Sequence, residues 1–173
     1  MFSLAGIVAS IWQYGPVFSE AVLISAISAM AAIILILMAR RRVPPRYIVI
    51  DGSNVMHWKN YQPLIETVRH VLMLLEQRNY VPIVWFDANV GYKIGARYLG
   101  PLPLSKILKI PPQQIFVAPK GSPADPFVLD CAKELNAKVV TNDQFRDWTE
   151  SHPHMKEPGF LVTGGIQDNK IVL

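Results

Sequence analysis

The sequence has little cysteine and little charge. One cysteine in 173 residues, Cys131, excludes an intramolecular disulfide framework and any multi-cysteine zinc or iron–sulfur centre. The four histidines, His57, His70, His152 and His154, have no metal-ligand spacing, so they do not supply such a centre either. Charged residues make up 17% and hydrophobic residues 51%, which excludes an intrinsically disordered chain. There is no G-x-G-x-x-G and no P-loop lysine motif, which argues against a dinucleotide or P-loop nucleotide site. Asp51-Gly52-Ser53 lacks a second aspartate two residues on, which argues against a phosphoaspartate phosphatase.

What is present is unevenly spread. Residues 1–39 contain no Lys or Arg and one acid, Glu20. Within them Ala21 to Ala39 form an uncharged run of 19 residues in which only Ser25 and Ser28 are polar. As a helix at about 1.5 Å per residue it would extend roughly 28 Å, close to the hydrocarbon thickness of a bilayer. Arg40, Arg41 and Arg42 follow at once. The charge asymmetry predicts a single transmembrane helix over 21–39 with the C-terminal part cytoplasmic. A signal peptide would carry its charge before the apolar run instead. Residues 2–13 form a weaker apolar stretch, too short to span, with Trp12 and Tyr14 suited to the outer interface. The expected organisation is therefore an extracytoplasmic segment 1–20, a membrane helix 21–39, a basic and proline-containing linker 40–45, and one domain over 46–173. The net charge of +4 divides as −1 before Arg40, +3 in Arg40–Arg42 and +2 beyond, so most of the basicity is a topology signal.

In the domain, short β-branched runs alternate with amphipathic segments. Tyr47–Ile50, Val81–Phe86, Ile115–Val117 and Lys138–Thr141 read as buried strands. Leu64, Ile65, Val68, Val71, Leu72 and Leu75 have helical spacing, and Pro123–Leu135 opens with prolines where a first turn tolerates them. Residues 91–110 are ambiguous, with one or two helical turns at Leu104–Leu108. Gln144–Thr149 is expected to begin a short helix, and Phe160–Thr163 with Lys170–Leu173 to form a terminal hairpin. The alternation predicts an α/β/α domain with a mainly parallel sheet. Its sites should lie at the C-terminal strand ends, beside the reversal of strand order.

Four aspartates fall on that edge. Asp51 and Asp143 follow strands, Asp125 opens the helix after the third strand, and Asp147 lies one helical turn beyond Asp143. Such like charges repel unless a cation neutralises them. Oxygen ligands from separate loops suit Mg²⁺ or Mn²⁺, which can assist phosphodiester hydrolysis. Each aspartate also has a plain alternative as a helix cap or solvated residue. Asp87 could lie at the rim of the acidic pocket or cap the turn after the second strand, of which the turn is the favoured reading, while Asp130, Cys131 and Trp85 read as pointing away or packing. His57 and Trp58 could stack on a base or pack on a helix. Lys93, Arg97, Lys106, Lys109 and Lys120 could follow an RNA backbone or be ordinary solvated residues.

The segments Val49-Ile50-Asp51-Gly52-Ser53-Asn54-Val55, Ala124-Asp125-Pro126-Phe127-Val128 and Val140-Thr141-Asn142-Asp143-Gln144-Phe145-Arg146-Asp147 resemble the NYN/PIN-type ribonuclease domain of the Regnase (MCPIP) CCCH zinc-finger proteins. Ile166-Gln167-Asp168-Asn169-Lys170 resembles that domain's closing hairpin. The resemblance spans most of 46–173 and not the apolar run. It implies a PIN-like fold and hydrolysis of single-stranded RNA to 5′-phosphate and 3′-hydroxyl ends. It also implies that Asp51, Asp125, Asp143 and Asp147 are catalytic residues holding Mg²⁺ or Mn²⁺. Asn54 matches a polar position orienting substrate or water, and Lys93, Arg97 and Lys120 are further candidates for contacting RNA. Expected partners are RNA, the lipid bilayer through 21–39 and a second copy of the chain, with no organic cofactor. Three features differ from the family pattern: Ala124 stands where the family often has a second acid, the Lys120-Gly121-Ser122 loop is short, and this sequence contains no CCCH finger. The alternative they leave is a catalytically weak or inactive RNA-binding or scaffold domain tethered to the membrane.

Overall fold

A computed structural model describes residues 9, 20–40, 44–59, 61–168 and 170–173. The segment 2–13, Trp12, Tyr14 and Arg41–Arg42 lie essentially outside the described residues. The chain divides into two compact units, Met1–Pro44 and Pro45–Leu173.

The first unit contains helix α1 (Glu20–Arg40). Its side chains are described at Glu20 and from Val22 to Met38, and among the described residues no helix is long and apolar enough to cross a membrane. Large apolar side chains stand exposed along α1, including Leu23, Ile27, Met30, Ile33 and Leu35.

The second unit is built on a five-stranded sheet. Its strands are β1 (Arg46–Asp51), β2 (Tyr80–Phe86), β3 (Ile115–Val117), β4 (Lys138–Val140) and β5 (Leu161–Val162), in the order β3-β2-β1-β4-β5. Every pairing is parallel. Side-chain alternation along the strands divides the core in two. Ile48, Ile50, Val84, Phe86 and Val140 enter one cluster, with Val68, Val71, Leu72 and Leu75 of α3 (Ile65–Gln77) and Leu104 and Leu108 of α5 (Pro101–Leu108). Val49, Ile83 and Val139 point the other way, onto Val128, Leu129 and Ala132 of α6 (Asp125–Glu134). This is the three-layer arrangement the alternation of strands and helices predicts. It explains why β1 reads as continuously apolar, because both of its faces are covered.

Two short helices complete the framework. α2 (Gly52–Val55) follows β1 directly, and α4 (Val90–Ile94) leads into the stretch that periodicity leaves ambiguous. Two expectations need correction. Phe160–Thr163 does not pair with the C-terminus. Its Leu161–Val162 portion extends the parallel sheet beside β4, and the hairpin is formed by β6 (Gly165–Gln167) with β7 (Lys170–Val172). Gln144–Thr149 does not begin an α-helix. Phe145 takes a left-handed conformation (φ 48°) that breaks helical continuation, and only a 3₁₀ turn, Arg146–Trp148, follows.

Candidate active site

The sheet order reverses at β1. The chain runs from β1 through β2 to β3 on one side and resumes on the other with β4 and β5. The β1/β4 boundary is therefore where a cleft opens in a sheet of this kind.

Asp51 ends β1 at this boundary and is only 4% exposed. One carboxylate oxygen accepts the backbone N–H of Asn54 at 3.0 Å and so caps α2. The other accepts the Thr141 hydroxyl at 3.0 Å, across from the end of β4. Burial pushes the Asp51 carboxyl up from 3.8 to about 7. The Asn54 and Thr141 hydrogen bonds act in the opposite direction, and the charges of Asp125 and Asp87 add to the rise. Asp51 is thus the cap of α2, the plain alternative, and it also spans to the end of β4 through Thr141.

Asp125 is the first residue of α6 and does not cap it; the cap position is Ala124. Its carboxylate accepts the Trp148 indole N–H at 3.2 Å. Burial raises its pKa, Trp148 opposes the rise, and the neighbouring charges of Asp143 and Asp87 contribute to it. Asp87 thus acts electrostatically on both Asp51 and Asp125. Its carbonyl closes the following turn onto Val90, but its carboxylate accepts the Ala124 N–H at 3.1 Å, so it joins the acidic group rather than capping that turn. The sequence placed Asp87 at a strand end, and that position was the available signal.

Asp143 projects from the loop after β4 and is exposed. Its carboxylate accepts the Phe145 N–H at 2.8 Å, and its own N–H donates to the Thr141 hydroxyl oxygen at 3.0 Å. Phe145 is 2% exposed and anchors this loop in the core. Asp147 is not one helical turn from Asp143, because the left-handed Phe145 intervenes. It is absent from the charges that raise the pKa of Asp51 or Asp125. It does share with Asp143, Asn54 and Arg146 the wall of a polar cavity of about 470 Å³.

Asn54 fastens the loops together. Its side-chain oxygen accepts the Trp58 indole N–H and the Asn142 backbone N–H, both at 2.9 Å. Asn142 in turn forms a two-bond clamp with the Gly164 backbone, at 2.9 and 3.0 Å. Trp58 packs against the core, and His57 engages the Ser53 carbonyl at 2.8 Å, so the packing alternative describes both better than base stacking. Lys93 lies 4.0 Å from Asp87, and Lys120 lines a separate cavity next to Asp87. Arg97 is exposed outside the wall of that cavity. Asp130 points away to His152 at 3.1 Å, and Trp85 stacks between Phe116 and Phe127.

Among the described residues, no three or more Asp, Glu, His or Cys side chains are arranged as a metal-holding group. The donor chemistry nonetheless suits a hard divalent cation. Four carboxylates interact on one edge, and the one cation within 4.0 Å of any of them, among the described residues, is Lys93. Mg²⁺ commonly uses only one or two direct carboxylates, keeping waters in its other positions, so a three-ligand cage is not required.

The chain belongs to the Zc3h12a-like ribonuclease NYN domain family, whose model matches residues 44–158. Among solved structures it is similar in fold to nuclear proteinaceous RNase P 2 (PRORP2) from A. thaliana. One structure of that protein shares 14% identity with a TM-score of 0.58, covering 97% of this chain and 34% of the other. A second shares 12% identity with a TM-score of 0.53, covering 98% and 36% respectively. The chain thus spans about a third of the length of these neighbours. No curated protein matches it in sequence.

Proposed function

We propose that this chain is a membrane-anchored, Mg²⁺- or Mn²⁺-dependent endoribonuclease acting on single-stranded RNA. The observation that carries the nuclease reading is the buried Asp51 carboxyl at the β1/β4 boundary, facing the charges of Asp87 and Asp125. Membership of a ribonuclease domain family supports the same reading.

Asp51, Asp125 and Asp143 would hold the cation, and Asp147, which lines one polar cavity with Asp143, would position water or a second ion. When bound, the cation supplies neutralisation of phosphate charge and a lowered pKa for water. The chain's own residues do the positioning. Thr141 and the Asn54 N–H fix both oxygens of Asp51, while the Asn54 side chain binds the Asn142 N–H and so couples the loops after β1 and β4. The amide nitrogen of Asn54 has no hydrogen-bond partner among the described residues, leaving it free to donate to substrate. Trp148 holds Asp125 in place, and Asp87 organises the entrance to α6 through the Ala124 N–H.

Attachment to the bilayer through α1 is supported by the uncharged run Ala21–Ala39 and by the exposed apolar side chains of that helix, a surface costly to leave in water. The arginines after it support a cytoplasmic active domain.

The test is cleavage of end-labelled single-stranded RNA by the detergent-solubilised full-length chain, in Mg²⁺, Mn²⁺ and EDTA, beside Asp51→Asn and Asp143→Asn. Metal-dependent cleavage by the wild type alone is expected; equal cleavage by both variants would refute the assignment. RNA binding without cleavage in either metal would favour the RNA-binding alternative, which the absence of an acid at Ala124 motivates. Anchoring is checked separately by alkaline carbonate extraction of membranes, where release of the full-length chain would contradict it.

A further inference from the structure

A second cavity, of about 890 Å³, adjoins the acidic group and shares Asp87 with it. This size lies within the ~300–1,000 Å³ range of sites that enclose small ligands. Tyr92, Tyr98 and Lys120 line it, from α4, the loop after α4, and the loop after β3. Both tyrosines are open to solvent, at 62% and 57% exposed. Neither ring stacks on another aromatic, and neither hydroxyl has a hydrogen-bond partner, among the described residues.

Their backbone, by contrast, is tightly held. Gly91 is buried, and a Cβ there would lie 2.3 Å from the Arg97 carbonyl oxygen and 2.5 Å from the Leu99 nitrogen. The loop carrying Tyr98 is thus folded directly onto the helix carrying Tyr92. Val90, next to Gly91, and Leu99, itself one of the contacted residues, are buried in the core. Two exposed aromatic rings on an immobilised backbone give a surface on which a planar group can settle with little ordering cost. Every nucleobase offers such a face, and Lys120 supplies a positive charge for the connecting phosphates.

The geometry points to Tyr92 and Tyr98 as a stacking subsite for one base of the RNA strand, flanking the scissile phosphate on the β2/β3 side, with Lys120 contacting that strand's backbone. The location rests on the nuclease reading above; the stacking itself does not. The site predicts sequence-tolerant recognition of unpaired bases, because a base held in a duplex cannot present its face.

The experiment uses the full-length chain in detergent and a non-cleavable single-stranded oligonucleotide carrying 2-aminopurine at successive positions. Binding should quench fluorescence most at one or two adjacent positions. Tyr92→Ala and Tyr98→Ala should each lose that local quench and bind roughly five- to a hundredfold more weakly. Tyr92→Phe and Tyr98→Phe should retain both properties. In cleavage assays the alanine variants should raise KM more than they lower kcat. Absence of binding, position-independent quenching, or quenching unchanged in the alanine variants would overturn the proposal. A loss in the phenylalanine variants equal to that in the alanine variants would do the same, by assigning the effect to the hydroxyl. If the wild type does not cleave RNA but the local quench depends on the tyrosines, the nuclease reading fails and the subsite stands.

Discussion

Replacing Asp51 by Asn should make the protein more stable in mildly alkaline solution while abolishing cleavage. The Asp51 carboxyl rises from 3.8 to about 7 on folding, chiefly through burial. Between those values the folded protein retains a proton that the unfolded chain has lost. Stability must therefore fall as pH rises from about 4 to about 7, with the full penalty present above 7. About three pKa units at about 1.4 kcal/mol each give a penalty of about 4 kcal/mol. Asparagine carries no charge and avoids it. The amide keeps one acceptor oxygen for Asn54 N–H but turns a donor toward Thr141, leaving the threonine hydroxyl proton without its acceptor at a cost of about 1 kcal/mol. The expected gain is thus about 3 kcal/mol at pH 8, disappearing or reversing near pH 4. Urea unfolding of the full-length chain in detergent and EDTA, followed by tryptophan fluorescence across this range, measures it. Parallel pH profiles for the two proteins, with no gain at pH 8, would refute the argument that Asp51 is buried at an energetic cost. Added Mg²⁺ should raise wild-type stability at pH 8 and affect Asp51→Asn much less.

Asp125→Asn and Asp143→Asn should each lower kcat by on the order of 100-fold or more with circular dichroism unchanged, whereas Asp147→Asn, outside the coupled acids, should cost less. Asn54→Ala should destabilise the protein by about 2 kcal/mol, because the Trp58 and Asn142 N–H groups lose their shared acceptor, and should lower activity by loosening the two loops; thermal unfolding and kcat read the two effects. Gly164→Ala should lower the melting temperature and expose the C-terminal hairpin to limited proteolysis, since a Cβ there would lie 2.5 Å from Leu173 and 2.6 Å from the Val172 carbonyl oxygen.

The sequence alone was enough to locate most of the sheet. Runs such as Tyr47–Ile50 and Val81–Phe86 are apolar on both faces because helices cover both sides, and that requirement is written locally. The aspartates at strand ends were legible for the same reason, since chain order puts them just beyond the buried runs. β5 was misread because two residues carry no periodicity, and only the hydrogen bonds of Val139 and Thr141 to its neighbourhood define it. The Gln144–Thr149 segment was misread because the core demand on Phe145 outweighs local helical preference and forces a left-handed residue.

What only the tertiary structure decided is how the acids relate. Asp51 and Thr141 are 90 residues apart in sequence yet share a hydrogen bond, and Asp87 and Ala124 meet across 37. Parallel strand order brings these pairs together, and no local pattern encodes such distances. Burial likewise belongs to the fold: an aspartate in sequence is an ordinary carboxylate, and enclosure between β1 and β4 turns Asp51 into a group that titrates near 7. The amino-acid sequence determined which acids stand at the strand ends, and the fold determined which of them act on one another.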